Sequence, residues 1–221
     1  MGNRGLKLSK YSVGIGDRFA HQAKAQLQAC MKALASGIEV VPVWNKSNRE
    51  HTIIGSEPVS TRQAADAAVK ALDWKLPYFC DADHITLQTV GRFLDACDFY
   101  TIDVADFIGQ AAPAADIDNF VKRHPELLGR IQLEGTDDAF QITPENLRQT
   151  AQKYLTAVKK AGEVYRTIEK AKGAGNFIPE VSMDETDSAQ SPVELLIILA
   201  AIADEGIPVQ TIAPKFSGHF N

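Results

Sequence analysis

The chain has 221 residues, 45% hydrophobic and 23% charged, which is ordinary globular usage and enough for one domain with a sizeable core. A formal net charge of −5, with no local run of Lys and Arg, argues against the basic stripe of a nucleic-acid binder. The longest apolar run, residues 193–203, is interrupted by Glu194 and is too short for a bilayer, and no signal-peptide core follows the polar start.

Three cysteines without a CxxC pattern fit a reducing, cytoplasmic setting, as buried small hydrophobes. Six apolar, β-branched segments recur along the chain, each ending in polar or charged residues. The first is YSVGIGDRF (residues 11–19), followed by a helical pattern over residues 19–36 with Gly37 where a stop belongs. EVVPVWNKS (39–47) is the second. Ser60-Thr-Arg-Gln63 reads as a capping box that opens an Ala-rich helix to Leu72, with Pro77 before the next strand. YFCDADHI (78–85) and FYTIDVAD (99–106) flank a short helical stretch over residues 87–96. Residues 107–175 then form a long connection. Within it 111–118 reads as loop, 130–132 and 139–142 as a small hairpin, and Thr143-Pro144-Glu145 as the start of a long helix to about Lys172. FIPEVSM (177–183) and VQTIAPKF (209–216) complete the set. Between them Ser191-Pro192-Val193-Glu194 forms a second capping box and Gly206 ends its helix.

Strands buried on both faces that alternate with helices predict βαβ units and a parallel sheet. The expected architecture is a single α/β domain over residues 1–221, of (β/α)8 TIM-barrel type and present in part, with about six βα units. Residues 107–175 are a helical insertion after the fourth strand. Open sheet edges favour self-association into a homo-oligomer.

In such sheets sites form at the C-terminal strand ends. The polar residues there are Asp17, Arg18, Asn45, Lys46, Asp81, Asp83, His84, Asp103, Asp106, Glu180, Glu185 and Lys215. Carboxylates, an imidazole and several cations on one rim suit a small, polar, anionic substrate. In Asp81-Ala-Asp83-His84, carboxylate and imidazole at a rigid strand end are ligands for Zn, Mn or Fe(II), and an adjacent Asp suits a general base. The same tetrapeptide also reads as a helix cap and a packed loop histidine. Glu180 lies inside an apolar strand, where a charge is costly unless it pairs or binds a ligand. Glu185 lies in an acidic loop, placed either to exchange protons or simply to be solvated. Gly14-Ile-Gly16-Asp17-Arg18 lacks the third glycine of a dinucleotide loop and the Gly-Lys-Ser/Thr of a P-loop. Its glycines permit close backbone approach, and Arg18 either forks onto a substrate carboxylate or pairs with Asp17. Lys215 is either a Schiff-base nucleophile or a plain cation for a carboxylate. His21, His51, His124 and His219 show no partner at ligand spacing and read as surface or capping residues.

The blocks GIGDRFAHQAKAQLQA, VPVWNKS, FCDADHI, EVSMDET and TIAPKFSGHFN, in this order, resemble the bacterial D-tagaturonate epimerase family over residues 11–221. The resemblance implies a TIM-barrel isomerase of hexuronate breakdown that interconverts D-tagaturonate and D-fructuronate. It also implies a divalent cation, one of Zn, Mn, Fe, Co or Ni. By the same resemblance Asp83 corresponds to a proton acceptor, His84 to a metal ligand and Glu185 to the proton donor. Asp17, Arg18, Lys46, Glu180 and Lys215 are then the substrate-binding candidates. Family members are much longer, and two further metal-ligating histidines are expected downstream of this sequence; His219 falls where the family commonly has Arg. One histidine cannot hold a catalytic metal unaided. Two other readings stand beside this one: a Schiff-base aldolase acting through Lys215, and a non-catalytic partial barrel that binds sugar acids.

Overall fold

In the computed structural model, which describes residues 5–135, 137 and 139–218, the elements run in chain order as follows. β1 (Ser12–Gly16), α1 (Ala23–Ala35), β2 (Val41–Ser47), α2 (Asn48–Ile54), α3 (Pro58–Ala71), β3 (Phe79–Ile85) and β4 (Phe99–Asp103) come first. α4 (Ala114–Arg123), β5 (Gly129–Ile131), β6 (Phe140–Ile142), α5 (Pro144–Lys172), β7 (Ile178–Met183), α6 (Pro192–Asp204) and β8 (Thr211–Pro214) follow. Six strands join one sheet in the order β1-β2-β3-β4-β7-β8, and β5 and β6 form a separate antiparallel hairpin. The pairs β1–β2, β2–β3 and β3–β4 are parallel. Strands added in chain order, with helices in most of the connections, make the α/β arrangement of a TIM-type barrel, here with six strands among the described residues.

The helix boundaries show where local chemistry acts. β2 runs straight into α2, because Ser47 ends the strand and caps the helix at once. Its hydroxyl accepts from the Glu50 amide at 3.2 Å, and the Glu50 carboxylate accepts from the Ser47 amide at 3.2 Å. Gly55, in the left-handed conformation at φ 65°, stops this helix after two turns. The Ser60 capping box does not form. Pro58 begins α3 two residues earlier, where its missing N–H is harmless, and the Ser60 hydroxyl donates to the Glu57 carbonyl instead. The stretch 87–96 holds only a 3-10 turn at Val90–Arg92, pinned by Thr89 Oγ1 accepting from the Thr86 amide at 2.9 Å. Conversely, the run read as loop at 111–118 contains the start of α4. The Ser191 capping box is present with its Glu194 partner.

Packing divides the chain into two compact units. The first comprises the chain up to Asp103, Val164–Glu180 and Val209–Thr211. Its sheet alternates with period two. One face carries the apolar cluster Val41, Val43, Phe79, Phe99 and Ile178. The other face meets helices: the Trp44 indole donates to Gln26 of α1 at 3.0 Å, and Gln26 in turn donates to the Gly16 carbonyl at 3.0 Å. Cys30, Cys80 and Cys97 are free thiols, all buried. The second unit comprises Val104–Glu163, Val181–Pro208 and the chain from Ile212 on. Arg148–Asp118 and Lys159–Asp116 ion pairs bind α5 to α4, and Arg123 and His124 both meet Asp204 of α6. Among the described residues no helix is long and apolar enough to cross a membrane.

Candidate active site

The polar layer of the first unit follows from strand periodicity. Val43, Phe79, Phe99 and Ile178 belong to the apolar cluster. Two residues further along the same strands, on the same face, stand Asn45, Asp81, Thr101 and Glu180. Register sets Asn45 beside Asp81 and Ser47 beside Asp83. The apolar floor thus gives way to a polar layer at the C-terminal strand ends, where α/β barrels place their chemistry.

Asp81, Thr101 and Glu180 form a continuous line. The Thr101 amide donates to Asp81 Oδ1 at 3.1 Å, and Thr101 Oγ1 lies 2.9 Å from Asp81 Oδ2 and 3.2 Å from Glu180 Oε1. Burial raises the Asp81 carboxyl well above the ordinary carboxylate range, and the charges of Asp83 and Glu180 add to this, outweighing the hydrogen bonds from Thr101. Glu180 is also raised, first by burial; the Thr211 and Thr101 hydroxyls and His84 oppose the rise, while Asp83 adds to it. Thr101 was absent from the sequence candidates. Its place two residues beyond Phe99 and two before Asp103, in an alternating strand, was the available signal.

One extra residue in β3 takes Asp83 and His84 out of the ladder with β4. Ala82 pairs with Tyr100 but Ile85 pairs with Ile102, so three steps on β3 match two on β4. This bulge holds His84 at φ 50°, a left-handed conformation that costs a non-glycine residue roughly 1–3 kcal/mol and marks functional sites more often than ordinary strand ends. His84 Nδ1 lies 2.7 Å from Asp83 Oδ1, and both side chains keep partial solvent access, 30% and 21%.

The other first-unit candidates divide. Asp17 accepts from the Gln22 amide at the start of α1, so it acts there as a capping group. Arg18, 54% exposed, meets Glu50 through Nε at 3.3 Å. A Cβ at Gly14 or Gly16 would meet only the Asn45 side chain, at 3.7 and 3.4 Å, so neither glycine is demanded by close backbone approach. Lys46 departs from the expectation of a substrate contact. It is 1% exposed, sits in register with Ala82 rather than Asp83, and donates from Nζ to Ser56 Oγ at 2.9 Å under α2. Strand alternation turns it toward the helices, away from the polar layer. Burial lowers its pKa, with the Arg92 guanidinium acting in the same sense against Glu50 and Asp17. His51 is likewise a correction: it is buried at 1% exposure, with Nδ1 2.9 Å from Ser56 Oγ, rather than a surface residue.

Glu185 and Lys215 belong to the second unit. Glu185 is exposed in the loop after β7, where Thr186 Oγ1 donates to the Met183 carbonyl at 3.3 Å. Lys215 and Gln190 clasp the end of β8: Gln190 Oε1 accepts from the Lys215 amide and the Gln190 amide donates to the Lys215 carbonyl at 3.1 Å. His124 is partly buried, held between Glu126 and Asp204 at 2.6 and 3.0 Å, while His21 is exposed and His219 lies outside the described residues. Among the described residues no group of three or more His, Cys, Asp or Glu side chains stands together as a metal site. His84 and its neighbours therefore do not make a metal centre on their own.

The family model for tagaturonate epimerase (UxaE) matches residues 4–221. The chain belongs to the tagaturonate epimerase family. Among solved structures it resembles the fructuronate-tagaturonate epimerase UxaE from Cohnella laeviribosi. The form of that protein with one glycerol gives a TM-score of 0.75 at 20% identity, over 99% of this chain and 45% of that one. The native form gives 0.75 at 21% identity, over 95% and 44%. This chain thus spans a little under half the length of those structures, and at such identity the likeness shows the fold. No curated protein sequence gives a significant match.

Proposed function

We propose that the protein takes part in epimerising D-tagaturonate and D-fructuronate, with Asp83 as proton acceptor. The observation that supports this most directly is the bulged end of β3, which holds His84 in a strained backbone conformation and the Asp83 carboxylate against it within a chain matched by the family model along its length. The inverted carbon lies one bond beyond the carbon next to the ketone, so enolisation alone does not reach it. Asp83 removes the proton from the hydroxyl on that carbon, and the bond between it and the adjacent carbon breaks. The electron pair passes to the ketone oxygen as an enolate, and an aldehyde fragment is left. Rotation of the aldehyde exposes its other face, the carbon–carbon bond re-forms, and Asp83 returns its proton to the new alkoxide. No atom is gained or lost, as an isomerase requires.

Arg18, with its exposed guanidinium, supplies a cation for the substrate carboxylate, while Glu180 and Asp17 accept from its hydroxyls. His84 is proposed as one ligand of a divalent cation (Zn, Mn, Fe, Co or Ni). Since the described residues do not complete such a site, no step above runs through it.

The test is NMR detection of D-fructuronate after incubation of this chain with D-tagaturonate and a panel of divalent cations. Conversion that disappears in Asp83→Asn, with the fold retained, is the expected result. An Asp83→Asn protein as active as the parent overturns the assignment of the base. Borohydride reduction in the presence of substrate should leave Lys215 unmodified; a trapped adduct would replace the epimerase reading with a Schiff-base aldolase.

A further inference from the structure

The line Asp81–Thr101–Glu180 contains one hydrogen fewer than its contacts need. Thr101 Oγ1 stands 2.9 Å from one carboxyl oxygen and 3.2 Å from another, yet a hydroxyl carries a single hydrogen. Were both carboxyls ionised, the hydroxyl would donate to one and turn its lone pairs toward the other in a low-dielectric layer, where such repulsion is strongest. One added proton removes the conflict. Asp81 is the residue to carry it. It is 6% exposed, its Oδ1 is already committed to the Thr101 amide, and its charged neighbours, Asp83 on β3 and Glu180 on β7, are both acids.

We propose that Asp81 is a positioning residue: a carboxylic acid, neutral at pH 7, that donates from Oδ2 to Thr101 Oγ1, so that Thr101 donates onward and fixes the Glu180 carboxylate in the polar layer. The direction of every hydrogen in the line is then set. Glu180 keeps one oxygen as an oriented acceptor, which suits a substrate rich in hydroxyl groups as well as one bearing a carboxylate. The use made of Glu180 rests on the epimerase reading, whereas the protonation of Asp81 does not.

The first test needs no substrate. The infrared difference spectrum between the parent protein and Asp81→Asn at pH 7 should show a protonated-carboxyl C=O band in the parent, absent from Asp81→Asn and shifted in Thr101→Val. A parent without that band at neutral pH overturns the proposal. Kinetics supply the second. Asp81→Ala and Thr101→Val should each lower kcat/KM about tenfold, chiefly through KM, as expected for one lost hydrogen bond of ordinary strength. Asp81→Asn should recover most of that loss, because its amide oxygen still accepts from the Thr101 amide and its N–H still donates to Thr101 Oγ1. Failure of Asp81→Asn to improve on Asp81→Ala counts against a neutral acid. Absence of turnover in the parent as well would refute the epimerase reading and leave the infrared result to decide the protonation.

Discussion

Acid should weaken this fold in part through His51. The imidazole is 1% exposed, its Nδ1 lies 2.9 Å from Ser56 Oγ, and its ring packs edge-on against Phe93 at a centroid distance of 5.8 Å. Lys46 donates to the same serine oxygen, and in the neutral imidazole Nδ1 can take the serine's one hydrogen. Burial lowers the His51 pKa from 6.5 to about 4, with Lys46 and Arg92 pressing the same way and Glu57 and Glu50 opposing. A histidine lowered by folding has the following sign. Above pH 6.5 both folded and unfolded forms are neutral and nothing is lost. Below it the unfolded chain takes up a proton that the folded chain refuses, so stability falls until about pH 4. At about 1.4 kcal/mol per pH unit the loss reaches about 2 kcal/mol by pH 5 and about 3 kcal/mol when complete.

Asp81 and Glu180, both raised by burial, act in the opposite sense, since the folded protein takes up their protons more readily. The comparison must therefore be between the parent and His51→Gln, in which those acids are unchanged and the glutamine oxygen still accepts from Ser56. Urea unfolding followed by the fluorescence of Trp44 and Trp74, both buried in the same unit as His51, reads the relevant transition at pH 7, 6 and 5. Relative to pH 7, the parent should lose about 2 kcal/mol more than His51→Gln by pH 5. Parallel curves for the two proteins would refute the reasoning.

The backbone strain at His84 predicts a trade between stability and activity: His84→Gly should leave unfolding stability unchanged or raise it by about 1 kcal/mol while removing epimerase activity. A loss greater than about 1 kcal/mol in urea unfolding would show that the imidazole's contacts outweigh the strain. Ser47→Ala removes the cap of α2 and should cost about 1 kcal/mol in the same assay; no loss would mean the capping box contributes nothing net. Glu185→Gln, at an exposed position, should leave the unfolding midpoint in place and lower turnover about 100-fold or more if Glu185 is the proton donor. Unchanged turnover would move that role elsewhere.

The sequence by itself determined the class of fold and its polar strand ends. The strands are short, β-branched and spaced by helices, so their hydrogen-bonding demands and burial on both faces lead to a parallel sheet with little help from distant contacts. The Ser191-Pro192-Val193-Glu194 cap was legible for the same reason, since its hydrogen bonds span three residues. Asp83 and His84 were legible as a pair because both end one strand. What only the tertiary structure decided is which polar residues meet. Lys46 and Asp83 both end apolar strands, yet period-two alternation and register turn one toward the helices and the other into the polar layer. A single added residue in β3 sets the strained backbone of His84, and no local pattern announces a bulge whose partner residues, Tyr100 and Ile102, lie on a different strand. Thr101 drew no notice in the sequence and His51 read as a surface or capping residue, because a threonine in a strand and a histidine in a helix are ordinary. Their weight comes from carboxyls, cations and burial that three-dimensional packing brings to them, and the free energy of a proton in such a place depends on those neighbours rather than on the residue's own type.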